Sequence, residues 1–178
     1  MRKIILSGLA TSILLTTANA DIIDRGHLGI SLGSVKFEHK ESGTSSDAGM
    51  SVGLISKFEK NIIGDLYFGF GTNLEIFDAS NFSDEDLGLL AEIYPIITYD
   101  ITNNLSVNGS YAYTVGYLGG NRSDTGFDGT TAGVGIAYKF TDSFEVEAKY
   151  KYSDLEWTDD IALDVHRVNL AFNFRFGN

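Results

Sequence analysis

Residues 167–176 read Arg-Val-Asn-Leu-Ala-Phe-Asn-Phe-Arg-Phe. Val168, Leu170, Phe172, Phe174 and Phe176 alternate with Arg167, Asn169, Ala171, Asn173 and Arg175. An extended strand sends successive side chains to opposite faces, so one face here is wholly apolar and the other polar or small. At a helical period the same five apolar groups would form no single stripe.

The same period recurs upstream. Phe144, Val146, Ala148, Tyr150 and Tyr152 alternate with Glu145, Glu147, Lys149 and Lys151. Leu105, Val107, Tyr111, Tyr113, Val115 and Tyr117 stand against Ser106, Asn108, Ser110, Ala112 and Thr114. Leu66, Phe68, Phe70, Leu74 and Ile76 stand against Asp65, Tyr67, Gly69, Gly71, Asn73 and Glu75. Eight such runs are read, at 27–38, 48–58, 62–77, 86–99, 105–117, 129–140, 144–155 and 164–176. In the first run Val35 and Phe37 leave the parity of Leu28, Ile30 and Leu32, which predicts a bulge near Gly33-Ser34. Pro95, the one proline, has no N–H for a ladder and predicts a bulge in the fourth run.

The first twenty residues read as an export leader. Arg2 and Lys3 precede an apolar run from Ile4 to Leu15, and Ala18-Asn19-Ala20 offers small residues for cleavage. The expected domains are therefore a signal peptide, 1–20, and a barrel domain, 21–178. Losing Arg2 and Lys3 takes the net charge from −11 to −13, since the segment holds no acidic residue. So acidic a chain is expected to repel nucleic acid and anionic lipid head groups, and on charge alone both are excluded as partners. It has no cysteine. After the leader no stretch of 18 apolar residues follows, so a membrane could be crossed only by strands.

Connections alternate in length. Those at 59–61, 100–104 and 141–143 are tight; those at 39–47, 78–85, 118–128 and 156–163 are longer and polar. Short turns at one end and longer loops at the other mark outer-membrane barrels, and an even strand number puts both termini in the periplasm. Side-chain size sets the faces. The polar faces carry Gly29, Ser31, Gly33, Gly53, Gly69, Gly71, Gly133 and Gly135, which suit a narrow interior, while the bulky aromatics suit lipid. Tyr99, Phe140, Phe144 and Phe176 fall where one interfacial girdle belongs, and Tyr113, Tyr117 and Tyr152 where the other does. Trp157 is expected to be an interface anchor. The fold class is an all-β, eight-stranded antiparallel up-and-down transmembrane β-barrel, expected as a monomer in the bacterial outer membrane.

Gly133 to Phe140, the Thr141–Ser143 turn and Phe144 to Tyr152 resemble the penultimate hairpin of small OmpA-like and opacity-type (OmpX-like) barrels. Asn169-x-Ala171-x-x-Phe174-x-Phe176 is similar to the terminal signal read by the barrel-insertion machinery. It departs from that signal in Ala171, where glycine is usual, and in Gly177-Asn178 after the last aromatic. The resemblance implies outer-membrane lipid and lipopolysaccharide as surroundings, and the insertion machinery and periplasmic chaperones as assembly partners. Members of the group include structural proteins, adhesins and serum-resistance factors; similar barrels include lipid A enzymes.

Charges on the small-residue faces are the candidate site. Glu92, Lys139, Glu145, Glu147, Lys149, Lys151, Arg167 and Arg175 should share the lumen, with Lys57, Asp65 and Glu75 as further candidates. Because unpaired buried charge is costly, the expected arrangement is a salt-bridged plug rather than an ion path. A lipid A deacylase would need a His-x-Ser pair, the histidine serving as base for the serine. His27-Leu-Gly, His39-Lys-Glu and His166-Arg-Val do not supply one. His39 with Ser45, Ser46 and Asp47 is the remaining group for a palmitoyltransferase, and His27 and His166 are expected at the periplasmic ends of their strands. No catalytic residue, cofactor or metal site is expected. The loop acids Asp78, Asp84, Glu85, Asp86, Asp124, Asp128, Glu156, Asp159 and Asp160 read as a solvated surface, or as oxygen ligands bridging divalent cations to lipopolysaccharide. The function expected is a non-catalytic structural or surface role in the envelope, with an adhesin, a small channel or a lipid A enzyme as alternatives.

Overall fold

Eight runs of alternating side chains become eight strands because each has one face for lipid and one for a narrow interior. In the computed structural model, residues 23–40, 43, 45, 49–80, 87–119, 125–157 and 162–177 are described. The strands are β1 (Arg25–His39), β2 (Gly49–Ile63), β3 (Leu66–Asp78), β4 (Leu87–Asp100), β5 (Leu105–Gly119), β6 (Thr125–Thr141), β7 (Phe144–Trp157) and β8 (Ala162–Gly177). Each pairs antiparallel with the next, and β8 pairs with β1 to close the barrel. They run to between 13 and 17 residues. About 9–11 residues cross a bilayer, so the ladders continue past the apolar belt.

The tight turns close one end, which also holds the first and last residues of the barrel strands, Arg25 and Gly177. The first turn is Gly64-Asp65 and not 59–61, because β2 continues through Ile63. Gly64 takes the left-handed conformation (φ 55°) that a tight turn needs, and its carbonyl accepts a bond from Asn61 Nδ2 at 2.6 Å. The register slips between Asn61 and Ile63, and again between Lys139 and Thr141, so the bulges sit beside the turns.

Neither predicted bulge is present. β1 keeps one register from Arg25 to Val35 against β2, and from Arg25 to His39 against β8. Val35 and Phe37 stay on the inward parity of His27 and Ser31; it is the interior that changes from polar to apolar along their path. At Pro95 the β4–β5 ladder skips from Ile93↔Tyr113 to Ile96↔Ser110 without changing register, while the β3 side is continuous through Phe70↔Pro95. The missing N–H therefore falls opposite Tyr111, costing one rung rather than a bulge.

The interior has two tiers. At the loop end Val35, Phe37, Phe77, Leu90, Leu118, Phe127, Leu155, Leu163 and Val165 form a fully buried apolar cluster. Toward the turn end the inward positions are charged or polar. Glycines admit the larger groups: a Cβ at Gly88 would stand 2.0 Å from the Phe77 ring, and one at Gly116 1.9 Å from the Phe127 ring. Outside, Leu28, Ile30, Leu54, Phe70, Ile93 and Val134 are exposed, as a lipid-facing belt requires. Tyr138, Phe140 and Phe144 pack together on the turn-end girdle, at centroid distances of 4.9 and 6.0 Å. Residues 1–20, Asn178, Ser46, Asp47, Asp84, Glu85, Asp86, Asp124, Asp159, Asp160 and the Trp157 side chain lie outside the described residues.

Candidate functional site

The charged tier is assembled by strands that are distant in sequence. β8 points Arg167 inward, fully buried, where Nη1 meets Glu75 Oε2 at 3.2 Å and Nη2 bonds Glu92 Oε1. The same Nη2 reaches Ser153 Oγ at 2.8 Å. Lys151 pairs with Glu92 at 2.5 Å. Asn73 donates to both Glu75 and Glu92, at 3.2 and 3.1 Å, and Asn169 donates to Glu75 at 3.0 Å. Two inward rows nearer the turns, Lys57 lies 3.0 Å from Glu147 and 3.3 Å from Glu145. Lys149 lies 3.7 Å from Glu147 and 5.0 Å from the centre of the Tyr94 ring. At the floor Arg25 bonds Glu59 at 2.9 Å and Asp100 at 2.9 and 3.1 Å, while its guanidinium covers the Tyr67 ring.

These contacts balance. Six cations (Arg25, Lys57, Lys149, Lys151, Arg167, Arg175) are bridged to six carboxylates (Glu59, Glu75, Glu92, Asp100, Glu145, Glu147). The excess negative charge of the chain is therefore carried elsewhere. A buried pair needs hydrogen bonds to its remaining lone pairs as well as its partner. Asn73 and Asn169 donate to the Glu75 and Glu92 carboxylates, and the Thr131 and Ser153 hydroxyls accept from Arg167 Nη2.

Of the eight lumen charges read from sequence, Glu92, Glu145, Glu147, Lys149, Lys151 and Arg167 are buried together. Arg175 stands at the edge, 3.8 Å from Glu145. Lys139 reaches only the rim, 3.6 Å from the solvent-exposed Asp142. Lys57 and Glu75 join the network, whereas Asp65 sits exposed in the first turn. Asn73 faces inward as its parity implies, and Arg25, His27, Glu59 and Tyr94 do so too; inward parity is the available signal for these four, obscured in β1 by the expected bulge and in β2 by the early turn. His27 is buried with its ring nitrogens each 3.3 Å from a carboxylate, Glu59 and Glu145. His166 is not periplasmic. It lies near the loop end of β8, opposite Lys36, faces outward, and shares a 2.7 Å hydrogen bond between Nδ1 and the Tyr150 hydroxyl. Among the described residues no group of three His, Cys, Asp or Glu could hold a metal. A recess of about 40 Å³ at the turn end, lined by Arg25, Asp100, Lys139, Glu145 and Arg175, is the shallow floor of the lumen.

The terminal pattern is placed on both faces. Asn169 and Ala171 point inward and Phe174 and Phe176 outward. Phe176 lies over Gly26, where a Cβ would come within 2.3 Å of its ring, and packs edgewise on Phe58 at 6.2 Å.

The closed eight-stranded barrel has known counterparts in fold. The sequence matches the outer membrane protein beta-barrel domain over residues 7–176. The chain belongs to that family. It is thus an outer-membrane β-barrel of the OmpA-like and opacity-like kind. Ail, the attachment invasion locus protein of Yersinia pestis, superimposes with a TM-score of 0.63 at 16% identity, over 87% of this chain and 100% of Ail. Neisserial surface protein A gives 0.59 at 17% identity, over 86% of this chain and 97% of the other. OprG of Pseudomonas aeruginosa gives 0.51 at 12% identity, over 90% and 100%. At such identities the likeness is one of fold. None of the curated proteins compared matches the sequence.

Proposed function

We propose that the protein is a non-catalytic envelope barrel whose lumen is sealed and whose working surface is its outside. The observation that carries this reading is the two-tier interior, a balanced ionic lattice below a dry apolar cluster. Eight strands leave an interior that side chains just fill. An ion entering would have to displace paired charges and then cross a cluster of apolar side chains that cannot solvate it.

The attachment role in Ail's name is the second reading. A heparin analogue, sucrose octasulfate, is bound by Ail in one of its crystal structures. Here the described loop-end positions include Asp78, Asp128, Asp154, Glu156 and Asp164, which oppose a polysulfated ligand. We assign residues 1–20 as the export leader, removed after Ala20, and the chain as a monomer delivered by chaperones to the insertion machinery.

One preparation tests the reading. Protein extracted from outer membranes should begin at Asp21 and show no stable conductance in planar bilayers. A large, steady conductance from correctly processed protein would replace the sealed barrel with a channel.

A further inference from the structure

The outward face where β7, β8 and β1 meet is layered by register. Its lowest row, Ser34–Val168–Tyr150–Val134, still belongs to the apolar belt. The row above is Lys36–His166–Tyr152–Ala132, and the next is Glu38–Asp164–Asp154–Thr130. Three consecutive strands thus present an amine, an imidazole and a phenol side by side, immediately above hydrocarbon.

The acidic row is partly offset, one ammonium standing against its three carboxylates. Lys40 spans Asp154 at 2.7 Å and Asp164 at 3.4 Å, and Asp164 also accepts the Tyr152 hydroxyl at 2.6 Å. The Asp154 hydrogen bond holds the Lys40 ammonium above its ordinary pKa, so the clamp stays charged. Glu38 is the one carboxylate of that row outside the clamp. Lys36 is exposed and makes no ion pair among the described residues. The Tyr150 hydroxyl engages His166 Nδ1, and the Tyr152 ring packs 5.3 Å from the imidazole, which fixes the ring and leaves Nε2 without a hydrogen-bond partner among the described residues. An exposed, unpaired ammonium beside an oriented imidazole at this depth is complementary to a phosphate at the hydrocarbon boundary.

We propose that this row is a docking site for the phosphate of a lipid A-type glycolipid in the outer leaflet. The acyl chains would lie on Val168, Tyr150 and Val134, and the phosphate oxygens would meet Lys36 and His166 Nε2. The overall acidity of the chain gives no hint of it, because six of the cations are spent in the lumen. The site depends on the outer-membrane placement and not on the sealed lumen, so a conducting barrel would leave it standing.

The test uses the folded full-length protein in phosphatidylcholine nanodiscs titrated with diphosphoryl lipid A, with bound lipid counted by native mass spectrometry. Lys36→Gln should weaken retention roughly tenfold, the loss of one charge-assisted hydrogen bond. His166→Gln should weaken it less, and Lys60→Gln, at the opposite end of the barrel, should leave it unchanged. Lys36→Arg should retain binding. The unaltered protein supplies an arm independent of any variant: lipid A stripped of its phosphates, and phosphatidylglycerol, should bind distinctly more weakly. Wild-type retention by the Lys36→Gln/His166→Gln double variant overturns the site, and equal retention of phosphatidylglycerol overturns the glycolipid assignment.

Discussion

Arg167 illustrates what a single buried side chain does here. Its guanidinium is completely enclosed and holds Glu75 and Glu92 from two other strands. Removing it leaves Glu75 without its ion-pair partner and Glu92 with Lys151 alone. Breaking a buried pair this way costs about 3–5 kcal/mol, against about 0–1 kcal/mol for an exposed pair. Arg167→Ala should therefore lower the urea midpoint of unfolding in lipid vesicles well below that of Lys40→Ala, whose pair with Asp154 is largely solvated. Equal midpoints for the two variants would show that the lattice is not what holds the lumen together.

At the scale of the element, β4 and β8 make the informative cases. Pro95 faces lipid and interrupts only the rung to Tyr111. Pro95→Val restores a donor at that position and keeps an apolar outward group. Stability should rise by about 0.5–1.5 kcal/mol, the net worth of one hydrogen bond; a lower unfolding midpoint would mean that the skipped rung is needed for local curvature. β8 closes the barrel, and Phe176 packs across Gly26 of β1 onto Phe58 of β2. A large ring over a strand glycine covers backbone that would otherwise meet lipid. We assign Phe176, with Asn169, Ala171 and Phe174, to the assembly signal. Phe176→Ala should then reduce the yield of heat-shifted, folded barrel far more than deletion of Gly177 and Asn178. Matching yields would remove the last aromatic from that role.

For the whole molecule, the decisive feature is how charge is distributed between inside and outside. The lumen is neutral by pairing, so the acidic excess lies on the loop end and the rims. That separation makes the outer surface hostile to polysulfated ligands. It also makes the Lys36–His166 row an exception that only register reveals. Interior filling and surface charge together favour a barrel that acts through its wall and rim rather than through its bore.

Much of this was legible in the order of residues. The alternation in 144–152 and 167–176 is a local property, and local periodicity is enough to choose strands, to separate lipid face from lumen face, and to count eight of them. Parity likewise identified Glu92, Glu145, Glu147, Lys149, Lys151 and Arg167 as inward. What each of these touches was not legible: Arg167 meets Glu75 and Glu92 only because closure brings β3, β4 and β8 around one axis. Val35 and Phe37 were misread as a change of face because parity says which side a residue takes, and nothing about the height at which the interior turns from ionic to apolar. The sequence expectation for His166 falls at the wrong end, although counting from the loop that precedes β8 places it near the loops. The apolar tier, the balance of six charges against six and the donor row above the lipid belt all join residues from strands far apart in the chain. They exist only once register and closure are set, and those belong to the tertiary structure alone.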